Sequence, residues 1–269
     1  MKTIMSKVLE WSTVNDKKPL WMRPAKTCTE EEYTEFYKQT FKAYDEPLAY
    51  THFNMEGNID FKSLLYIPTE IPYELTKDIF SNIARSIRLY VKRIYINDKF
   101  EDLLPRWLLF LRGIVDSDDL NLNVSREILQ QNRSLRIIKQ RLIKKSIEMF
   151  TNLLDNYPIK YLKFWKNYGK YIKIGIIEDQ KYRDELIPLC HFYSSYSNTN
   201  LTSLNDYILR MKNEQKNIYY IMNENIHENC KNPVLEKLKD KGYEVLYLTE
   251  PIDEMTLQNI EKYQVSRYI

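Results

Sequence analysis

The sequence of 269 residues predicts an α/β protein: a larger α-β-α subdomain, a helical connector and a smaller α-β-α subdomain. Three observations carry this. β-rich runs gather before residue 100, helical periodicity fills the centre, and strands alternate with helices from residue 217 onward. The predicted limits are 1–153, 154–192 and 193–269.

Thr29 to Lys42 (TEEEYTEFYKQTFK) begins with a Thr cap and loads acids into its first turn. It sets Tyr33, Phe36, Tyr37 and Thr40 on one face, which predicts a surface helix with an aromatic inner side. Leu48 to Phe53 and Ile59 to Ile67 are β-rich runs around Met-Glu-Gly-Asn, a hairpin with Gly57 at its turn. Glu74 to Ser86 reads as a weakly helical connection. Arg88 to Asn97 (RLYVKRIYIN) alternates with one phase slip and predicts a third strand.

Leu104, Leu108, Leu111 and Val115 recur at helical spacing, so Leu103 to Val115 is expected to be a helix with Pro105 in its first turn. A polar piece, Asp116 to Asn123, follows. Ser125 is a suitable cap for a long helix to about Asn156, which Pro158 ends. Tyr161 to Ile172 and Lys181 to Phe192 are expected helices, the second kinked by Pro188. After a polar stretch, Tyr193 to Leu204, come strand Asn217 to Asn223, helix Pro233 to Lys241, strand Glu244 to Thr249 and helix Asp253 to Tyr263. That order implies parallel strands.

Composition narrows the function. With 40 Lys+Arg against 37 Asp+Glu the net charge is +3, too small to pull strongly on nucleic acid or acidic lipid. No nucleic-acid partner and no membrane insertion are expected, since no run of about 18 apolar residues occurs. The opening Met1-Lys-Thr-Ile-Met-Ser-Lys lacks the apolar run of a signal peptide. Only five glycines are present, about 2% where globular chains average ~7%. That scarcity argues against Gly-rich phosphate loops, and no GxSxG, HExxH, GxGxxG or GxxxxGK[ST] occurs.

Cys28, Cys190 and Cys230 are far apart and without a CxxC pair, so free thiols are expected rather than disulfides or zinc. His227-x-x-Cys230 is half a metal site with no second half, and no metal is expected. His52 lies within a strand and His191 beside Cys190; core or surface roles suit both.

The informative stretch is Asp116 to Arg136, DSDDLNLNVSREILQQNRSLR. Arg126 stands in the first turn of a helix just after a polar loop, where a cation is unfavourable by up to about 1 kcal/mol. One reading is that the loop holds Arg126 outward to meet an anion such as a phosphate. The other is an ordinary surface arginine paired with Asp116, Asp118 or Asp119.

This stretch closely resembles the catalytic-loop segment of the middle domain of the heat shock protein 90 family. Further blocks agree in family order: VNDKKPLWMRP, EEYTEFYK, PLAYTHF, FKSLLYIP, KNIYYI and GYEVLYLTEPIDE. The resemblance covers roughly Trp11 to Tyr263. It implies an ATP-dependent chaperone in which an N-terminal domain binds ATP with its Mg and the middle domain supplies an arginine to the γ-phosphate. Arg126 matches that arginine, and Gln130 and Asn123 match the polar residues supporting its loop. A guanidinium there neutralises developing charge on the transferring phosphoryl. The segment alone is expected to be inactive.

The resemblance further implies client proteins, co-chaperones and the chain's own N-terminal domain as partners. The segment is expected to be a monomer and the full-length protein a homodimer through a C-terminal domain. Trp21 matches an exposed aromatic of client contact; the alternative is that it packs on its own domain. Tyr73 and Thr76 stand where relatives commonly have phenylalanines against the N-terminal domain, which makes Tyr73 a partner-binding candidate. Trp11, Arg23-Pro24-x-Lys26 and Asn123-Val-Ser-Arg126 look most like the endoplasmic reticulum branch, with a cytoplasmic form as the alternative. The sequons at Asn123, Asn132 and Asn200 suit that compartment, although glycans at Asn123 or Asn132 would obstruct the loop.

Overall fold

The computed structural model describes residues 18–77, 87–97, 103–120, 133–222, 235–260, 262–263 and 267–268. After two 3-10 turns, Leu20–Met22 and Ala25–Thr27, helix α1 spans Glu30–Phe41. Its start follows the sequence: the Glu32 amide donates to Thr29 Oγ1 at 3.3 Å and the Thr29 amide to Glu32 Oε2 at 3.1 Å, a closed capping box. Tyr33 and Tyr37 are its buried side, with the Tyr37 ring 5.1 Å from that of Tyr66.

A five-stranded sheet in the order β1-β2-β5-β3-β4 forms the larger half. β1 (Ala49–Met55) and β2 (Phe61–Ile67) make the expected hairpin, register Ala49↔Ile67 to Met55↔Phe61. Gly57 in its turn has φ +143°, a conformation side chains rarely adopt. Helix α2 (Tyr73–Lys77) follows.

Two sequence expectations are corrected here. RLYVKRIYIN is a second hairpin, not one strand: β3 (Ile87–Val91) and β4 (Ile94–Asn97) flank Lys92 and Arg93, whose φ values are +51° and +66°. The phase slip is that two-residue turn, hidden because its residues are not the usual Asn-Gly. Leu103 to Val115 is not a helix either. A 3-10 turn at Arg106–Leu108, with Pro105 as its N-cap, leads into β5 (Arg112–Ser117), antiparallel to β2 and parallel to β3. Leu104, Leu108 and Leu111 are buried around that turn and only Val115 of the four lies in β5, so the 3–4 spacing marks burial, which periodicity does not distinguish from a helix. Gly113 confirms the close fit, since a Cβ there would lie 2.6 Å from the Leu64 carbonyl oxygen.

Helix α3 is described over Arg133–Asn156, and its expected cap Ser125 lies outside the described residues. Pro158 both ends α3 and opens α4 (Pro158–Glu178), where a proline lacks only an amide that has no partner anyway. The expected helix Lys181 to Phe192 breaks up at Pro188 into α5 (Arg183–Leu186), a 3-10 turn (Ile187–Leu189) and β6 (His191–Ser194).

The polar stretch from Tyr193 is also structured. β6 pairs antiparallel with β7 (Ser197–Ser203), whose polar residues suit its place at the edge of a four-stranded sheet, order β7-β6-β9-β8. Helix α6 (Leu204–Arg210) is capped by Ser203 Oγ, which accepts from the Asp206 amide at 3.0 Å. β8 (Tyr219–Met222) and β9 (Val245–Leu248) are the expected parallel pair. Helix α7 is described over Glu236–Asp240, and α8 (Pro251–Gln258) stops before Tyr263, which joins a short two-stranded ladder. The fold class is thus the predicted one, two α/β layers with α3 and α4 between them, and buried side chains from Leu48 to Ile260 form one continuous core.

Candidate functional site

Asn123, Arg126 and Gln130 lie outside the described residues, as do Asn132, His227 and Cys230. What is described is the stem from which the Arg126 segment leaves β5. Asp116, buried near the end of that strand, accepts from Trp21 Nε1 at 3.0 Å and from the Arg93 amide at 3.2 Å. Ser117 Oγ donates to the Asp60 carbonyl at 2.9 Å, and its own carbonyl accepts from the Lys92 amide at 3.2 Å. Asp119 Oδ2 accepts from the Asp60 amide at 2.6 Å. Anchors at Asp116, Ser117 and Asp119 therefore fix the strand end and the two residues after it, ahead of Arg126 in the chain.

Two of the carboxylates offered above as partners for Arg126 are engaged in this stem. Asp116 uses both oxygens and Asp119 one.

Trp21 is not exposed, which corrects the expectation of a surface aromatic. It keeps 9% of its surface, with its ring 5.2 Å from that of Tyr90 and 5.8 Å from that of Phe36. Its carbonyl meets His52 Nε2 at 3.2 Å, while His52 Nδ1 meets the Tyr33 hydroxyl at 2.7 Å. A neutral imidazole satisfies both, donating from Nε2 and accepting at Nδ1. Burial lowers the His52 pKa, opposed by the bond to Trp21. Burial of the indole follows from its polar handle: the ring fills an aromatic cluster and its N–H finds a carboxylate.

Tyr73 is the opposite case. It opens α2 with 70% of its surface exposed, while Leu75 anchors the same helix at 1%. The Leu75 amide donates to the Pro72 carbonyl at 2.8 Å, fixing the turn that turns Tyr73 outward.

Sequence reading missed a charged group between the connector and the smaller sheet. Lys173 on α4 is almost wholly buried and pairs with Asp253 at 2.5 Å and Glu250 at 3.3 Å. Asp253 Oδ2 also accepts from the Thr249 and Glu250 amides at 3.1 and 3.0 Å, capping α8. Nothing in the lysine-rich pattern of α4 singles out Lys173 from its neighbours.

Cys190 is buried, and burial pushes its thiol up to about 12, so it is not nucleophilic at neutral pH. Cys28 is a half-buried free thiol. Among the described residues no group of His, Cys, Asp and Glu could hold a metal, and no helix is long and apolar enough to cross a membrane.

Two mixed sheets joined by paired helices, with the end of β5 fastened by Asp116 and Ser117, define the class: a multi-layer α/β segment. The family model described as Hsp90 protein matches residues 1–269, and the chain belongs to that family. It is similar to the middle domain of a heat shock protein of Plasmodium falciparum, at 47% identity and TM-score 0.86, covering 93% of this chain and 98% of that one. It is 45% identical over 269 residues to heat shock protein 90-5, chloroplastic, of Arabidopsis thaliana, covering 99% of this chain and 34% of that protein. It is 41% identical over 290 residues to an endoplasmin homolog of the same plant, covering 99% of this chain and 35% of that protein. The chain thus spans about a third of these curated relatives and corresponds to the family's middle domain.

Proposed function

We propose that this chain is the middle segment of an ATP-dependent chaperone, supplying Arg126 to the γ-phosphate of ATP held, with its Mg, by an N-terminal domain. The single observation that carries the reading is the anchored stem: Asp116, Ser117 and Asp119 fasten the chain just before the Arg126 segment. An arginine delivered across a domain boundary needs a root that does not drift, because misplacement of about 1 Å can reduce a rate 10²-fold. Gln130 and Asn123 would support the loop, and the guanidinium would neutralise charge on the transferring phosphoryl.

In this reading Tyr73 meets the N-terminal domain, its 70% exposure suiting a docking side chain. Client contact through Trp21 would require the turn Leu20–Met22 to lift from Asp116. The division at 153/154 and 192/193, a monomeric segment and a homodimeric full-length protein belong to the same proposal, as do co-chaperone contacts. For the compartment we keep the endoplasmic reticulum form. The endoplasmin homolog at 41% identity supports it, and the chloroplastic relative at 45% marks the competing organellar outcome, which a fluorescent fusion would read directly.

The test is ATP turnover by this chain alone and after adding the N-terminal domain. No turnover alone and stimulation in the mixture are expected. Turnover by the chain alone would overturn the division of labour.

A further inference from the structure

Between α4 and the face of the smaller sheet lies a cleft of about 500 Å³, lined by α4 on one side and by β6, β7 and β9 on the other. That volume is in the range of small-molecule sites. The charges at one end are already matched: Lys170 pairs with Glu250 at 2.9 Å, and Lys173 with Glu250 at 3.3 Å and with Asp253 at 2.5 Å. That end does not call for an ion.

The unmet chemistry is at His191 on β6, which keeps only 9% of its surface. Its Nδ1 lies 3.0 Å from the Leu189 carbonyl oxygen, which can only accept, so Nδ1 carries the hydrogen. Burial lowers the pKa of the ring, against the bond to Leu189 and the charge of Asp206, and favours the neutral form. Nε2 is then a bare acceptor. It has no partner among the described residues and is not one of their sealed polar atoms, so its lone pair opens on the cleft that the ring lines. An acceptor held largely out of bulk water favours a ligand that brings a donor.

The surroundings are aromatic. The Trp165 ring lies 5.6 Å from that of His191 and the Tyr161 ring 5.1 Å from it, while Phe192, Leu201 and Tyr247 add apolar surface to the cleft. One turn on from Trp165, Gly169 also lines it. A Cβ there would lie 3.0 Å from the indole, so the missing side chain lets that ring lie close against α4. Aromatic walls beside a fixed acceptor suit a planar ring with a donor on its edge.

We propose that this cleft binds a planar aromatic ring carrying an N–H or O–H donor, an indole or a phenol, with the donor on His191 Nε2 and the ring against Trp165. Such a ring belongs to a free small molecule or to a tryptophan or tyrosine side chain of a bound polypeptide, and the two sources share this chemistry.

The test is an NMR titration of the isotope-labelled chain with indole. Shifts should saturate and centre on the Trp165 indole and the amides of His191 to Tyr193. Benzofuran, the same bicycle with oxygen in place of the N–H, should bind about tenfold more weakly. His191→Phe keeps a ring and removes the acceptor, so in that variant indole and benzofuran should bind alike. N-acetyltryptophanamide separates the sources: tighter binding than indole assigns the ring to a polypeptide, weaker binding to a free small molecule, and the inference stands in both cases. No saturable shifts, shifts centred away from the cleft, equal affinity of indole and benzofuran for the unmodified chain, or a preference for indole that persists in His191→Phe would each overturn it. No arm reads ATP turnover, so the role of Arg126 stands or falls separately.

Discussion

The two halves of the molecule hold their outward-facing features by different physics. In the larger half one buried carboxylate, Asp116, accepts from neutral donors, the Trp21 indole and the Arg93 amide, on a central strand covered on both faces. In the smaller half a lysine on the connector is fastened to Glu250 and Asp253 beside an open cleft and a polar edge strand. The difference separates a strand end held by neutral, directional hydrogen bonds from a joint held by paired charges. Packing and directional hydrogen bonds tolerate salt; an ion pair across two elements depends on both charges staying matched.

The largest effect should come from unmatching that pair. Lys173→Met leaves the buried Asp253 carboxylate alone and should destabilise by about 3–5 kcal/mol in denaturant unfolding. Adding Asp253→Asn, which keeps an acceptor for the α8 cap, should recover most of it. A full loss in the double variant would show that packing, not charge, joins the halves there.

Next is Gly113→Ala in β5. Its Cβ would meet the Leu64 carbonyl oxygen at 2.6 Å and Leu65 Cδ2 at 2.8 Å, so backbone must shift, at about 1–3 kcal/mol. Melting temperature reads this, and an unchanged value would mean the central strand is less closely held than described.

Asp116→Ala should cost about 1–3 kcal/mol by leaving the Trp21 indole N–H and the Arg93 amide without their acceptor. Trp21 fluorescence should shift to longer wavelength as the ring loosens. No shift would break the picture of a fastened root.

The smallest effect is on pH. Burial lowers the pKa of both His52 and His191, with the backbone bonds to Trp21 and Leu189 opposing it. The unfolded chain, with imidazoles near pKa 6.5, then binds more protons than the folded one. Stability present above about pH 6.5 is lost as pH falls through that value. The loss between pH 7 and 5 should flatten in the His52→Gln, His191→Gln double variant, as read by denaturant unfolding at the two pH values.

Much of this fold was legible in the sequence where local chemistry decides structure. Thr29 and Glu32 spelled the start of α1, Gly57 its neighbouring hairpin, and Pro158 the break between α3 and α4. Legibility failed where tertiary burial decides. Leu104, Leu108 and Leu111 are buried around the 3-10 turn that leads into β5, so their helical spacing marks burial and not a helix, and β7 reads as a polar loop because an edge strand faces water. The Lys92-Arg93 turn was hidden by residues that enter the left-handed region without glycine. For the site, the Arg126 segment stood out by motif, whereas the roles of Asp116 and Lys173 depend on partners 95 and 80 residues away, Trp21 and Asp253, that no local pattern links.

The most direct measurement is ATP turnover of the full-length protein carrying Arg126→Ala. Turnover should fall on the order of 10³-fold or more while nucleotide affinity stays nearly unchanged. Turnover comparable to the unmodified protein would contradict the assignment of Arg126 to the γ-phosphate.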